Sequence, residues 1–289
     1  MPAIPTKLYE AFEKIRLGKV EEGTRLFDRV DGFEPVKAVA LAELSYFRHE
    51  WKRGIEFSYD FLASETDWET VRYYMRGYKE LHLKAFLLAT CHLDAWKENR
   101  TCLEQLRKEH DSRDNSHAGY FNNANMYQQA ISLISDPVNT KRLLLESRPK
   151  LKKEGKIDAE SLEHKARHAV LEHRRSRTKG YWRQSLSFDD LVHEAFSKAS
   201  SEDHIALYER YADRLEKNRS HQEAAKSYIA LENLQEAKEA IRQCIRGWEF
   251  KEPYQVAPIE LFTDPELWPV MSDRRFTESL LTIPHHRES

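Results

Sequence analysis

His164 and His168 lie four residues apart, with Glu160 one helical turn earlier. On a helix that spacing sets two imidazoles on one face, from which a divalent metal could be held. No HExxH surrounds them and the sequence offers no evident third ligand. Solvated histidines on a charged helix is therefore the stronger reading, and no metal is expected. A few residues on, Arg174-Arg175-Ser176-Arg177-Thr178-Lys179-Gly180-Tyr181-Trp182-Arg183 combines guanidinium groups with two aromatic rings. Phosphate contacts plus ring stacking are what binding of single-stranded RNA uses. An acidic protein partner, or plain solvent at a basic helix end, suits the same residues.

A third set joins aromatics to charge: Tyr46, Arg48, Tyr73, Tyr74 and Tyr78. On one side of a helical array they would line a surface for a protein or peptide; packing between helices is the competing use of each. Glycine loops of the GxGxxG or GxxxxGK kind are absent, as are serine and cysteine nucleophile signatures. The carboxylates fall on charged helix faces. These features point away from an enzyme and from a nucleotide or other cofactor.

The elements that carry these residues follow from composition and periodicity. The chain has 289 residues, 40% hydrophobic and 33% charged, with only 9 Gly and 10 Pro. So few turn residues argue for long helices with short loops. Apolar residues recur at helical spacing: Leu8, Ala11, Phe12 and Ile15, then Val36, Val39, Ala40, Leu44 and Phe47. Leu83, Phe86, Leu87 and Thr90 repeat the pattern, as do Ile205, Tyr208, Ala212 and Leu215. Short breaks at Leu17-Gly18-Lys19, His49-Glu50 and Asn218-Arg219-Ser220 turn consecutive stripes into antiparallel hairpins. The fold class is all-α. Three cysteines, Cys91, Cys102 and Cys244, form no CxxC pair, which favours a reducing compartment. The first residues lack a secretory pattern, and no apolar run is long enough to span a bilayer. A cytoplasmic location without membrane partners is expected.

The hairpins resemble tetratricopeptide-type repeats, in which a small residue on the first helix faces a small residue on the second, with an aromatic one turn later. Ala11 is followed by Gly23 and Phe27, Ala42 by Gly54, and Ala212 by Ala224 and Tyr228. Ala225 and Ala237 continue the array, with Ile241 in the aromatic place. After Gly54 that place holds Ser58, between Phe57 and Tyr59. The segment Asp264-Pro265-Glu266-Leu267-Trp268-Pro269, followed by Asp273-Arg274-Arg275-Phe276, looks like the tail that closes bacterial proteins of this type. It would cover the exposed face of the last helix. The resemblance implies a right-handed superhelical solenoid that binds a protein or peptide in its concave groove. One version of that role is an immunity protein of a bacterial toxin system. Separately, Arg167-His168-Ala169-Val170-Leu171-Glu172-His173 resembles the signature of HEPN ribonucleases. That likeness would make Arg167 and His173 act on RNA.

From Arg148 to Arg183 there are 12 Lys or Arg against 5 Asp or Glu, so this stretch carries +7 and the rest of a −2 chain carries −9. It reads as a basic helical bridge, residues 148–183, between an N-terminal lobe (1–147) and a C-terminal lobe with its cap (184–289). The leading function is non-enzymatic protein or peptide binding, with RNA binding through residues 174–183 as the alternative. If Gly54 and Ala224 sit at helix crossings, leucine at either should overpack the contact and cost about 1–3 kcal/mol. Gly54→Ala should be tolerated, because alanine is the better helix former.

Overall fold

The computed structural model describes residues 5–63, 72–114, 123–155, 164, 188–212, 215, 218–250 and 254–285. Side chains of 72–77, 110–114, 123–124 and 188–192 lie outside that description. Among the described residues every regular element is helical, and no strand occurs.

The first hairpin pairs α1 (Thr6–Arg16) with α2 (Val20–Phe27). Gly18 closes α1 at φ +78°, a conformation glycine adopts without strain. Leu8, Ala11, Phe12 and Ile15 form the buried stripe. A Cβ on Gly23 would lie 2.6 Å from the Ala11 carbonyl oxygen, so the two backbones cross where the sequence put two small residues. The second hairpin pairs α3 (Glu34–Phe47) with α4 (Trp51–Ala63), turning at His49 with φ +53°. Nearly the whole circumference of α3 is buried, as expected of a helix covered on both sides. Four helices continue: α5 (Arg72–Leu93), α6 (Trp96–Asp114), α7 (Asn123–Ile134) and α8 (Pro137–Leu145). Their shared core joins Leu83, Phe86 and Leu87 to Leu103, Leu106, Tyr127 and Ile131.

The next four helices are α9 (Phe188–Lys198), α10 (Ser201–Tyr211), α11 (Asn218–Ala230) and α12 (Leu234–Arg246). Ser200 and Asn233 cap α10 and α12 by accepting from the amides of Asp203 and Glu236. Ala224, Ala225 and Ala237 are fully buried, which lets α11 and α12 approach closely. Last come α13 (Ile259–Phe262), a 3₁₀ turn (Pro265–Leu267), α14 (Trp268–Met271) and α15 (Arg274–Leu280). Asp264 and Asp273 of the tail motif act as N-caps, accepting from Glu266 and from Arg275 and Phe276.

Two compact units result, and they differ from the lobes read from sequence. Residues 1–147 fold with 249–285, whereas 148–248 belong to the second unit. The tail thus belongs to the first unit. It packs on α1, α3 and α5, where its apolar residues find the deeper apolar surface: Phe262 lies against Tyr46 and Phe47.

The aromatic missing after Gly54 is supplied from the other helix of the pair. Tyr46, four residues after Ala42, lays its ring over Gly54 and bonds Ser58 Oγ at 2.7 Å. A Cβ at Gly54 would fall 2.5 Å from that ring. Tyr46 is wholly buried and tethered, so it cannot swing aside. This corrects the expectation for alanine. Gly54→Ala should lose about 1–3 kcal/mol of stability rather than be tolerated, measured by chemical denaturation at pH 7. Stability equal to the parent would show that the ring has room to yield.

Candidate functional site

Glu43 sits on α3 with no solvent exposure, the least favourable place for a carboxylate. What makes it tolerable is donors. Its Oε2 accepts from the backbone amides of Val256 and Ala257 at 2.7 and 2.9 Å, and its Oε1 accepts from the Tyr78 hydroxyl. From the end of α1, Arg16 completes the hold: its Nε and Nη2 donate to the Gln255 carbonyl at 2.9 and 2.7 Å, just before the tail helices. Arg16 itself is nearly buried, bonds Glu13 and lies over the Phe250 ring at 4.5 Å. Three successive residues, Gln255 to Ala257, are thus each held through a main-chain group. Burial pushes the Glu43 carboxyl well above its usual range, while the two amides and Arg16 pull it back.

Beside it His82 is also fully buried, its Nε2 3.9 Å from Glu43 Oε1 and its Nδ1 3.4 Å from Ser58 Oγ. Burial drives His82 down to about 3, so it stays neutral. A second aromatic group lies at the α3–α4 turn. Trp51 stacks on His92 with centroids 4.3 Å apart, and Trp268 approaches His92 at 5.2 Å and His49 at 6.2 Å. His49 Nε2 lies 3.1 Å from the Met271 carbonyl and 3.2 Å from Thr277 Oγ1. Burial lowers both histidines, His92 to about 4 with help from His49 and Lys141. In the second unit, His204 Nδ1 lies 2.6 Å from Ser227 Oγ, and burial brings it to about 4. Tyr208 pairs with His221 Nδ1 at 2.8 Å. The thiols of Cys91 and Cys244 are pushed upward by burial, Cys91 to about 11.

The residues chosen from sequence fare unevenly. Tyr46 and Tyr78 are buried, not surface-lining: the tail covers that side of α3 and α5, with Phe262 on Tyr46 and Tyr254 against Tyr78. Arg48 is partly exposed and pairs with Glu21 at 2.8 Å. Tyr73 and Tyr74 lie on α5, with side chains outside the described residues. Arg167, His168, His173, Arg174, Arg175, Arg177, Tyr181 and Trp182 lie outside the described residues altogether, and so does Glu160. His164 is exposed. Among the described residues no three His, Cys, Asp or Glu side chains converge as a metal would need, and no helix is long and apolar enough to cross a membrane. Sequence reasoning missed Glu43 and Arg16. Their only signal was a charge inside an apolar stripe.

Removing the acceptors should cost more than removing the charge. Glu43→Ala strands two amides and a hydroxyl in the interior and should cost about 3–5 kcal/mol. Glu43→Gln keeps an acceptor for the amides and should cost less than half as much. Equal losses in denaturation would mean that the charge, not the hydrogen bonding, holds the tail.

Acid should also destabilise the protein. From 6.5 down to about 4 the unfolded chain binds protons that folded His82 and His204 refuse, so stability falls as pH falls. Each contributes a slope of up to about 1.4 kcal/mol per pH unit. Glu43 acts oppositely, its contribution fading as pH rises above 4.5, and offsets part of this slope. The Tm should drop between pH 7 and pH 5, and His204→Gln should shrink that drop. An unchanged drop in the variant would remove His204 from the account.

Comparison with protein-family models, with curated proteins and with solved structures finds no match for this chain.

Proposed function

We propose that this protein is a non-enzymatic helical-hairpin protein that binds another protein or peptide. The observation that carries the reading is how its reactive side chains are used. His82, His92 and His204 are held neutral far below the range where an imidazole serves as acid and base, and the thiols of Cys91 and Cys244 are driven away from the thiolate. Each sits in packing or in a hydrogen bond between helices, as Tyr208 with His221 and Ser227 with His204 do. Close helix crossings at Gly23 and Gly54 then give the stiff frame on which a binding surface can be displayed. The face of α3 once expected to receive a partner is filled by residues 254–281, so the partner meets other surfaces.

The test is chemical cross-linking of untagged full-length protein in a lysate treated with nuclease, followed by mass spectrometry. A protein partner captured in fixed stoichiometry, with cross-links on exposed residues, is the expected result. Recovery of nucleic acid alone from an untreated lysate, or RNA cleavage lost on Arg167→Ala or His173→Ala, would replace this reading with one of the RNA readings.

A further inference from the structure

We propose that Glu43 lies beneath the tail as a neutral acid whose Oε1 proton faces the bare Nε2 of His82, and that this proton is a latch: the tail loosens when it is lost. Neither Glu43 nor His82 has any solvent exposure. Oε2 takes the Val256 and Ala257 amides, which fills both lone pairs of a carbonyl oxygen. Oε1 accepts the Tyr78 hydroxyl and has His82 Nε2 3.9 Å away. That ring nitrogen is buried and has no hydrogen-bond partner among the described residues. Two bare acceptors facing each other across so short a gap would repel, so one of them carries a proton.

Charge decides which. A carboxylate met by a ring N–H would make a charge-assisted bond, which closes to about 2.7–2.9 Å. The gap here is wider, at 3.9 Å. A dry carboxylate also calls for a paired cation, and among the described residues no lysine or arginine pairs with Glu43. Arg16 on α1 favours the anion, but its Nε and Nη2 serve the Gln255 carbonyl and its Nη1 serves Glu13. On α5, Lys79 lies over the Phe61 ring at 5.8 Å, and Tyr78 brings only a hydroxyl. From the tail Glu260 adds like charge, and Tyr254 packs on Tyr78. Burial raises the Glu43 carboxyl and lowers the His82 ring, both toward the neutral pair. His82 then keeps its own proton on Nδ1, toward Ser58 Oγ at 3.4 Å, and Ser58 in turn meets Tyr46.

Loss of the Glu43 proton leaves a charge where there is no water, and opening the tail hydrates it. With the tail open Glu43 ionises near 4.5, while seated it holds its proton to higher pH. Above pH 4.5 the open form therefore binds fewer protons. Its population rises with pH, by up to about tenfold per unit until the seated acid itself titrates. The probe is amide hydrogen exchange at Val256 and Ala257 in the full-length protein, with Glu43→Gln measured at each pH to cancel the ordinary pH dependence of exchange. Glutamine offers an acceptor to the amides and a donor to His82, and it does not titrate. From pH 5 to pH 7 the parent-to-variant ratio of exchange rates should rise at these two amides, by up to about a hundredfold, and stay flat in α3. At pH 7 the infrared spectrum should carry a protonated-carboxyl band that Glu43→Gln lacks, and nitrogen NMR should place the His82 proton on Nδ1. A flat ratio at Val256 and Ala257, an equal rise throughout α3, absence of the band, or a His82 ring protonated on Nε2 would each overturn the inference.

Discussion

A carboxyl group in a dry interior must be met by donors, and at Glu43 those donors come from the far end of the chain. The amides of Val256 and Ala257, 213 and 214 residues away, close on a side chain of α3. Arg16 takes the adjoining carbonyl from α1. These bonds fix where the tail enters, and burial of Ile259, Leu261, Phe262, Leu267, Val270 and Met271 does the rest. At about 1.5–3 kcal/mol per large apolar side chain, the packing outweighs the hydrogen bonds several-fold. The polar clamp chooses the register; the apolar contacts supply the stability.

That arrangement ties the first unit together from both ends. The His285 amide bonds the Arg16 carbonyl at 3.0 Å, and Thr282 lies against Gly18, where any side chain would collide with its backbone. The second unit is thus inserted in sequence between α8 and the tail. Residues that looked like groove-lining tyrosines become interior struts: Tyr78 steadies Glu43, and Tyr46 bridges α3 to α4 through Ser58. The imidazoles follow the same logic. Burial keeps His82, His92 and His204 neutral, and His49 and His204 bond across elements, His49 to Met271 and Thr277.

Charge is handled differently in the two units. In the first, the buried ionisable groups Glu43 and Arg16 are consumed by main-chain hydrogen bonds. In the second, the described lysines of residues 150–153 remain in water beside the start of α10, and Lys152 is near enough to help keep the His204 ring unprotonated. A buried, fully bonded carboxyl is suited to holding a fold.

The sequence by itself determined the helices and their pairing. Leu8, Ala11, Phe12 and Ile15 repeat at helical spacing, Gly18 ends α1, and Ala11–Gly23 and the buried Ala225 and Ala237 mark close helix contacts, because small residues are what two backbones need when they cross. Asp264 and Asp273 were visible as the punctuation of a tail motif and serve as its caps. Local pattern cannot say which apolar surface a tail will choose, however, because burial rewards contact regardless of distance along the chain. Only the tertiary structure set residues 254–281 on α1, α3 and α5, and thereby buried Tyr46 and Tyr78. It also decided that the partner of Gly54 is the Tyr46 ring, which turned a position open to alanine by helix propensity into one closed by packing. Glu43 stayed hidden for the same reason: a lone acid in a helical stripe looks solvated until the amides that desolvate it arrive from the other end of the chain.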